Sequence, residues 1–357
     1  MKITSGPAGI WRDSNFGFPF ASAFLLLLLI LLKTRSISVS PLLVKEPAYK
    51  TARDLIRLGD SEGARCIVDA ELQRCQDQGF SAEVWGLRFS RADVLRLLGH
   101  TEEALAYLAS KETVFPPESG DLQSLIGLKM TRGYSLGMLG KYASSDGLLN
   151  EAECLARNAG LPELLCEVRY CQAWFLYVRN EFVTSDRIFR EILSASEQIG
   201  GWYFRTIGLW GIGKNIMMQG HRRGDALLYQ EALPWFEESH ALADSAGRRA
   251  FAWSDMAVCH LGLGDDKKSL ELLENALPVY AQAGWVMHYQ ITLANIGNVY
   301  RYRGDYLRAI EYYRNAVEYA QEIKDPLSVR KWSHNIRLSY SLIRQSVDQL
   351  CSTPASM

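Results

Sequence analysis

At 357 residues the chain has the length of two or three globular domains unless it repeats internally, and 48% hydrophobic content allows a sizeable core. Thirty-nine basic residues against forty acidic ones leave a formal charge of −1, which excludes the basic excess of a nucleic-acid binder and singles out no partner by charge. The seven cysteines form no C-x-x-C pair and no Cys/His cluster of metal-ligand spacing, and this odd, scattered set reads as reduced and packed thiols.

The N-terminal tail, residues 1–44, contains an unbroken apolar run of 13 at 20–32. As a helix it covers roughly 20 Å, short for a bilayer core of about 30 Å and close to a signal-peptide core. Its flank argues otherwise, because Lys33 and Arg35 follow directly where a cleavage region would be neutral. An uncleaved membrane anchor is therefore expected. Lys33, Arg35 and Lys45 would keep the repeats cytoplasmic, with Lys2 and Arg12 competing; the alternative is secretion to the periplasm after cleavage.

From residue 45 to 345 no strand alternation occurs and apolar residues recur at helical spacing. Small residues stand at Ala52, Ala92, Gly133, Ala173, Gly213, Ala257 and Gly297, spaced 40, 41, 40, 40, 44 and 40 apart. Seven positions after each comes a residue tolerant of the left-handed conformation that ends a helix: Gly59, Gly99, Gly140, Asn180, Gly220, Gly264 and Gly304. A second set, Gly79, Gly120, Gly160, Gly200 and Gly284, with Gly247 displaced by three, closes a second helix. The second helices pair a small residue with a large one four later, as in Ala64 and Val68, Ala104 and Leu108, Ser145 and Leu149, Ser185 and Phe189, Ser269 and Leu273, and Ala309 and Tyr313. Seven helix-turn-helix repeats are expected, near 45–84, 85–125, 126–165, 166–205, 206–249, 250–289 and 290–329. In the fifth, residues 221–225 are expected to project as a loop after a turn at Gly220. Around Arg337, where an eighth small residue would fall, Lys331, His334, Asn335 and Arg344 make 330–345 a wettable cap, followed by a disordered tail at 346–357.

Leu293, Ile296, Gly297, Tyr300, Ala309, Tyr313 and Ala316 resemble the tetratricopeptide pattern, and Trp253, Met256, Ala257, Ala276 and Pro278 are similar one repeat earlier. The period departs from the usual 34 by about six residues, so each helix is longer. Such long-helix arrays resemble the regulatory regions of bacterial signalling proteins, including those ahead of caspase-like CHAT peptidase domains. The resemblance implies an all-α, right-handed superhelical solenoid whose first helices line a concave groove.

By that implication the groove positions lie three before, one after and four after each small residue. They give Arg53 with Arg57, one residue beyond the rule, at the start, Tyr134, Tyr170, Trp174, Tyr177, Trp210 and Lys214 in the middle, and Asn298, Arg301 and the adjacent Tyr302 at the end. Aromatic rings flanked by arginine and asparagine suit an extended peptide; the competing reading packs the rings on one another as core. The six histidines show no metal-binding spacing and the glycines serve as helix ends, so neither catalysis, metal nor cofactor binding is expected. The functional expectation is a noncatalytic, membrane-tethered scaffold for a protein or peptide partner. The alternative is a regulatory segment acting with a separate effector such as a peptidase, kinase or transcription factor.

Overall fold

A computed structural model describes residues 51–52, 55, 60–78, 91–92, 94–95, 100–112 and 122–352. The apolar run at 20–32, Arg53, Arg57, Gly59, Gly79, Gly99 and Gly120 lie outside the described residues. The described residues form thirteen helices and no strand: α1 (Ser61–Gln78), α2 (Thr101–Glu112), α3 (Leu122–Met138), α4 (Tyr142–Asn158), α5 (Pro162–Val178), α6 (Phe182–Ile199), α7 (Tyr203–Arg223), α8 (Ala226–Leu242), α9 (Ala246–Gly262), α10 (Asp266–Gln282), α11 (Val286–Tyr302), α12 (Tyr306–Glu322) and α13 (Pro326–Ser352).

From α3 onward each helix packs on the one before and the one after, and the first helices of successive repeats, α3, α5, α7, α9 and α11, also touch directly. The small residues explain the pairing. Ala52, Ala92, Ala173 and Ala257 have no exposed surface, and Gly133, Gly213 and Gly297 are buried. A Cβ on Gly133 would stand 3.0 Å from Leu149, one on Gly213 3.0 Å from Phe236, and one on Gly297 2.8 Å from Tyr313. Each large residue belongs to the second helix of the same repeat and is fully buried there. Polar small residues add direction: Ser185 Oγ donates to the Ala173 carbonyl at 2.9 Å and Ser239 Oγ to that of Thr206 at 3.1 Å, tying second helix to first.

The turns follow the glycine register in most places. Gly140, Asn180, Gly264 and Gly304 end first helices, and Gly160, Gly200 and Gly284 end second helices, all at positive φ. Asp225, Ser245, Asp265 and Asp305 start α8, α9, α10 and α12, each side chain accepting a backbone N–H two or three residues on. Forty residues after Gly284, Lys324 takes the left-handed conformation at φ 54, a turn that a glycine search passes over.

Two expectations fail in the fifth repeat. Residues 221–223 are no loop: α7 continues through Arg223 and ends at Gly224, whose φ is 66. Gly220 is buried inside the helix with Leu228 Cβ and the Asp225 carbonyl close above it, so it serves packing rather than turning. The added turn is held by the contact of His221 Nδ1 with the Tyr229 hydroxyl at 3.2 Å. Gly247, likewise, closes no helix. It lies in the first turn of α9, where a Cβ would stand 2.6 Å from the Trp285 ring, and α8 ends instead on extended Ala243.

The last helix covers the exposed end of the array. Trp332 and Ser339 are buried on its inner side, while Lys331, His334, Arg337, Tyr340 and Arg344 face water. It continues to Ser352, beyond residue 345. No described helix is long and apolar enough to cross a membrane.

Two alanine substitutions separate the two uses of glycine. Gly211→Ala puts a Cβ 2.1 Å from the buried Phe189 ring and is expected to cost about 1–3 kcal/mol in a urea melt of the full chain. Gly147→Ala, exposed in α4 with nothing within 4 Å, is expected to stabilise by about 0.5–1 kcal/mol. Equal shifts in the two melts would contradict the close contact.

Candidate partner-binding surface

The first helices bring their aromatic residues into one series. Trp174 stacks on Tyr177 within α5 at 5.3 Å and on Trp210 of α7 at 6.0 Å. Trp210 meets Phe251 of α9 at 6.4 Å, and Phe251 lies 5.2 Å from Trp285 and 4.7 Å from the His288 imidazole of α11. These centroid separations are those of favourable ring pairs. The series crosses four repeats, and except for Trp285 its members are partly open to water. Phe189, from a second helix, meets Trp210 edge-on at 6.4 Å and anchors the series to the core.

One buried ion pair sits beside the rings. Lys214 Nζ donates to Asp255 Oδ1, and Trp210 Nε1 donates to Asp255 Oδ2 at 2.7 Å, linking α7 to α9. Side-chain exposures of 18% and 8% place Lys214 and Asp255 well out of water. Desolvation opposes charge on Lys214, yet the Asp255 carboxylate outweighs it and raises the ammonium above its ordinary value. Burial raises the Tyr177 hydroxyl. His288 is lowered from 6.5 to about 3, first by burial and then by the charges of Lys214 and Arg248, so it is neutral at physiological pH. Its Nδ1 is buried without a hydrogen-bond partner among the described residues.

Of the residues expected at the groove, Trp174, Tyr177, Trp210 and Lys214 thus assemble at one place. Tyr134 and Tyr170 pack instead on Phe175 at 5.1 Å and Phe189 at 6.4 Å. Asn298, Arg301 and Tyr302 form a separate group at the far end of α11. There the Tyr313 hydroxyl donates to Asn298 Oδ1 at 2.7 Å and accepts from Arg301 Nε at 3.4 Å, and the Arg301 guanidinium covers the Tyr302 ring at 4.6 Å. Arg248, Phe251, Asp255 and His288 were not among the expected positions. They stand two, six or nine residues before the small-residue register, and the signal was present: Arg248 and His288 are forty apart.

A polar hollow of about 430 Å³ lies elsewhere, among α4, α5 and α6. Its Arg169 bridges Glu153 at 3.3 Å and Glu191 at 2.9 Å, and its Arg179 holds Asp146 at 2.6 Å, so the main charges there satisfy one another.

Residues 292–327 match the tetratricopeptide repeat family. That stretch of the chain is a tetratricopeptide repeat. No curated protein matches it. Among solved structures it is similar to a Rap protein complexed with competence and sporulation factor, at 15% identity and a TM-score of 0.59 over 84% of this chain and 85% of that one. It is also similar to NprR in complex with its cognate peptide NprX (15% identity, TM-score 0.57, 90% and 92% covered). The Cut9–Hcn1 hetero-tetramer of the APC/C contains a third similar chain (14% identity, TM-score 0.57, 88% and 55% covered). At such identities the likeness is one of fold.

Two measurements probe the site. Asp255→Ala leaves Lys214 and Trp210 without their acceptor and should destabilise the chain by about 3–5 kcal/mol, whereas Lys214→Met with Asp255→Leu should recover much of that loss. Because folded His288 titrates near 3 and an unfolded histidine near 6.5, the unfolded chain binds the extra proton as pH falls through that window. The folded state should lose about 2 kcal/mol from this residue by pH 5. A His288→Gln variant should show a correspondingly shallower decline of Tm between pH 7 and 5; parallel declines would rule out the neutral imidazole.

Proposed function

We propose that this tetratricopeptide array is a noncatalytic scaffold that holds a protein or peptide partner along the ring-lined face of its first helices. The observation that carries the reading is the series Tyr177, Trp174, Trp210, Phe251 and His288, contributed by four successive repeats and still partly open to water. An extended chain crosses repeats as this series does, and rings give contact area at small entropic cost. The NprR structure of the same fold holds its cognate peptide, and the Rap structure is complexed with competence and sporulation factor. The test selects binders to the full-length protein from a randomised decapeptide library and compares variants. Trp174→Leu and Phe251→Leu should weaken the selected peptides by about tenfold or more. Unchanged affinity in variants that melt earlier would show the rings to be core alone.

The apolar run at 20–32 followed by Lys33 and Arg35 supports tethering of the array at a membrane, with the repeats on the cytoplasmic side. The chain is expected to stay in the membrane pellet through alkaline carbonate extraction with its N-terminus intact; a mature chain beginning after residue 32 would overturn the anchor.

A further inference from the structure

One edge of the array carries apolar side chains that the core does not use. The four most exposed large hydrophobic side chains among the described residues are Val183 (83%), Leu227 (72%), Leu307 (72%) and Tyr302 (64%). Tyr302 ends the first helix α11, and Val183, Leu227 and Leu307 are each the second residue of a second helix, α6, α8 and α12. All four therefore stand at turns that join a first helix to a second. Ala143 and Lys267 hold the same place in α4 and α10 and are also exposed.

Contacts between neighbouring repeats join these turns into a continuous edge. Arg179, the C-cap of α5, donates to Asp146 of α4 at 2.6 Å and covers the Tyr142 ring at 5.6 Å. Arg222, near the end of α7, covers the ring of Phe182, the first residue of α6, at 5.9 Å. Gly262, the last residue of α9, lies so near Tyr229 of α8 that a Cβ would stand 2.5 Å from the ring. Arg303, just past α11, donates to Asp266, the first residue of α10. Each turn rests on the start of the preceding second helix.

Charge on this edge is uneven. Lys141, Arg222, Arg223 and Lys267 are exposed and form no ion pair among the described residues. The acids beside them are engaged. Asp225, Asp265 and Asp305 accept backbone N–H groups at the starts of α8, α10 and α12, Asp266 accepts from Arg303, and Glu181 pairs with Arg179 at 2.9 Å. A chain with a formal charge of −1 thus holds spare positive charge along one edge, between its most protruding apolar side chains.

We propose that this edge rests on an anionic lipid surface, with Val183, Leu227, Tyr302 and Leu307 entering the acyl boundary and Arg222, Arg223 and Lys267 lying among the phosphates. A folded partner would have to offer the same alternation of apolar and anionic contacts from one repeat to the next, whereas a bilayer offers it at every point. The ring series of the first helices uses none of these residues, so partner and lipid can be held together. The proposal goes beyond the peptide-binding reading and does not need the anchor at 20–32.

The experiment measures amide hydrogen exchange in the full-length protein, reconstituted into vesicles of phosphatidylcholine alone or mixed with phosphatidylglycerol. The first amides of a helix have no intrahelical acceptor and exchange readily unless covered. Exchange over 178–184, 221–228 and 302–308 should slow about tenfold or more in the mixed vesicles alone, with no change over 242–247. Arg222→Glu with Arg223→Glu, and separately Leu227→Ser with Leu307→Ser, should each remove most of the slowing at unchanged melting temperature, because all four side chains are exposed. Raising salt from about 0.1 M to about 1 M should weaken it as well. Should the chain be cleaved after residue 32, the mature protein added to preformed vesicles should float with the mixed ones and not with phosphatidylcholine alone, so failure of the anchor leaves the expectation in place. Equal exchange in the two lipids, or slowing that survives both double variants, overturns the proposal. Slowing that needs no phosphatidylglycerol and grows with protein concentration overturns it too and assigns the edge to a second copy of the chain.

Discussion

Everything in the array depends on the approach of two helices at a residue with almost no side chain. Gly133 against Leu149, Gly213 against Phe236 and Gly297 against Tyr313 are the same contact repeated along the chain. A methyl group at these positions would already press on the facing side chain, and interiors packed as densely as organic crystals absorb such additions poorly. The contact fixes the pair, the pair fixes which face of each helix remains for the next repeat, and stacking buries one continuous core.

Once that geometry is set, the first helices touch their counterparts in adjacent repeats and their remaining stripe is shared. This is why rings separated by about forty residues in sequence stand within 7 Å of one another. It also explains how Asp255 can be buried: α7 supplies both the Lys214 ammonium and the Trp210 indole N–H to its two oxygens. Isolated burial of either charge would be prohibitive, and the pair, with the Trp210 indole, ties α7 to α9. Core and surface are not alternatives along this stripe. Phe189 and Trp285 are buried, whereas the rings they support remain partly open.

The long period gives the array features that shorter repeats lack. Helices of 17 or 18 residues carry Arg248 and His288 in their first turns, and α7 extends to 21 residues. The extension of α7 shows how local sequence can mislead. His221, Arg222, Arg223, Gly224 and Asp225 form a polar group around a glycine, which looks like a loop. The contact of His221 with Tyr229 and the burial of Gly220 against α8 make one more helical turn the better solution.

The sequence by itself determined the number and order of helices from α3 onward, the buried position in each, and most turns, because these follow from local requirements repeated every forty residues. A close helix contact needs Gly, Ala or Ser, and a left-handed turn favours Gly or Asn. Where the requirement was met by an unusual residue, as at Lys324, or where a glycine served packing instead, as at Gly220 and Gly247, local reading failed. The site was legible only in part. Trp174, Tyr177, Trp210 and Lys214 lie on the expected stripe, whereas Arg248, Phe251 and His288 join them only because α7, α9 and α11 touch one another in succession. That arrangement depends on the angles between successive repeats, the cumulative result of every packed side chain. The forty-residue spacing marks Arg248 and His288 as equivalent positions, but that they meet Phe251 on one face was decided by the tertiary structure alone.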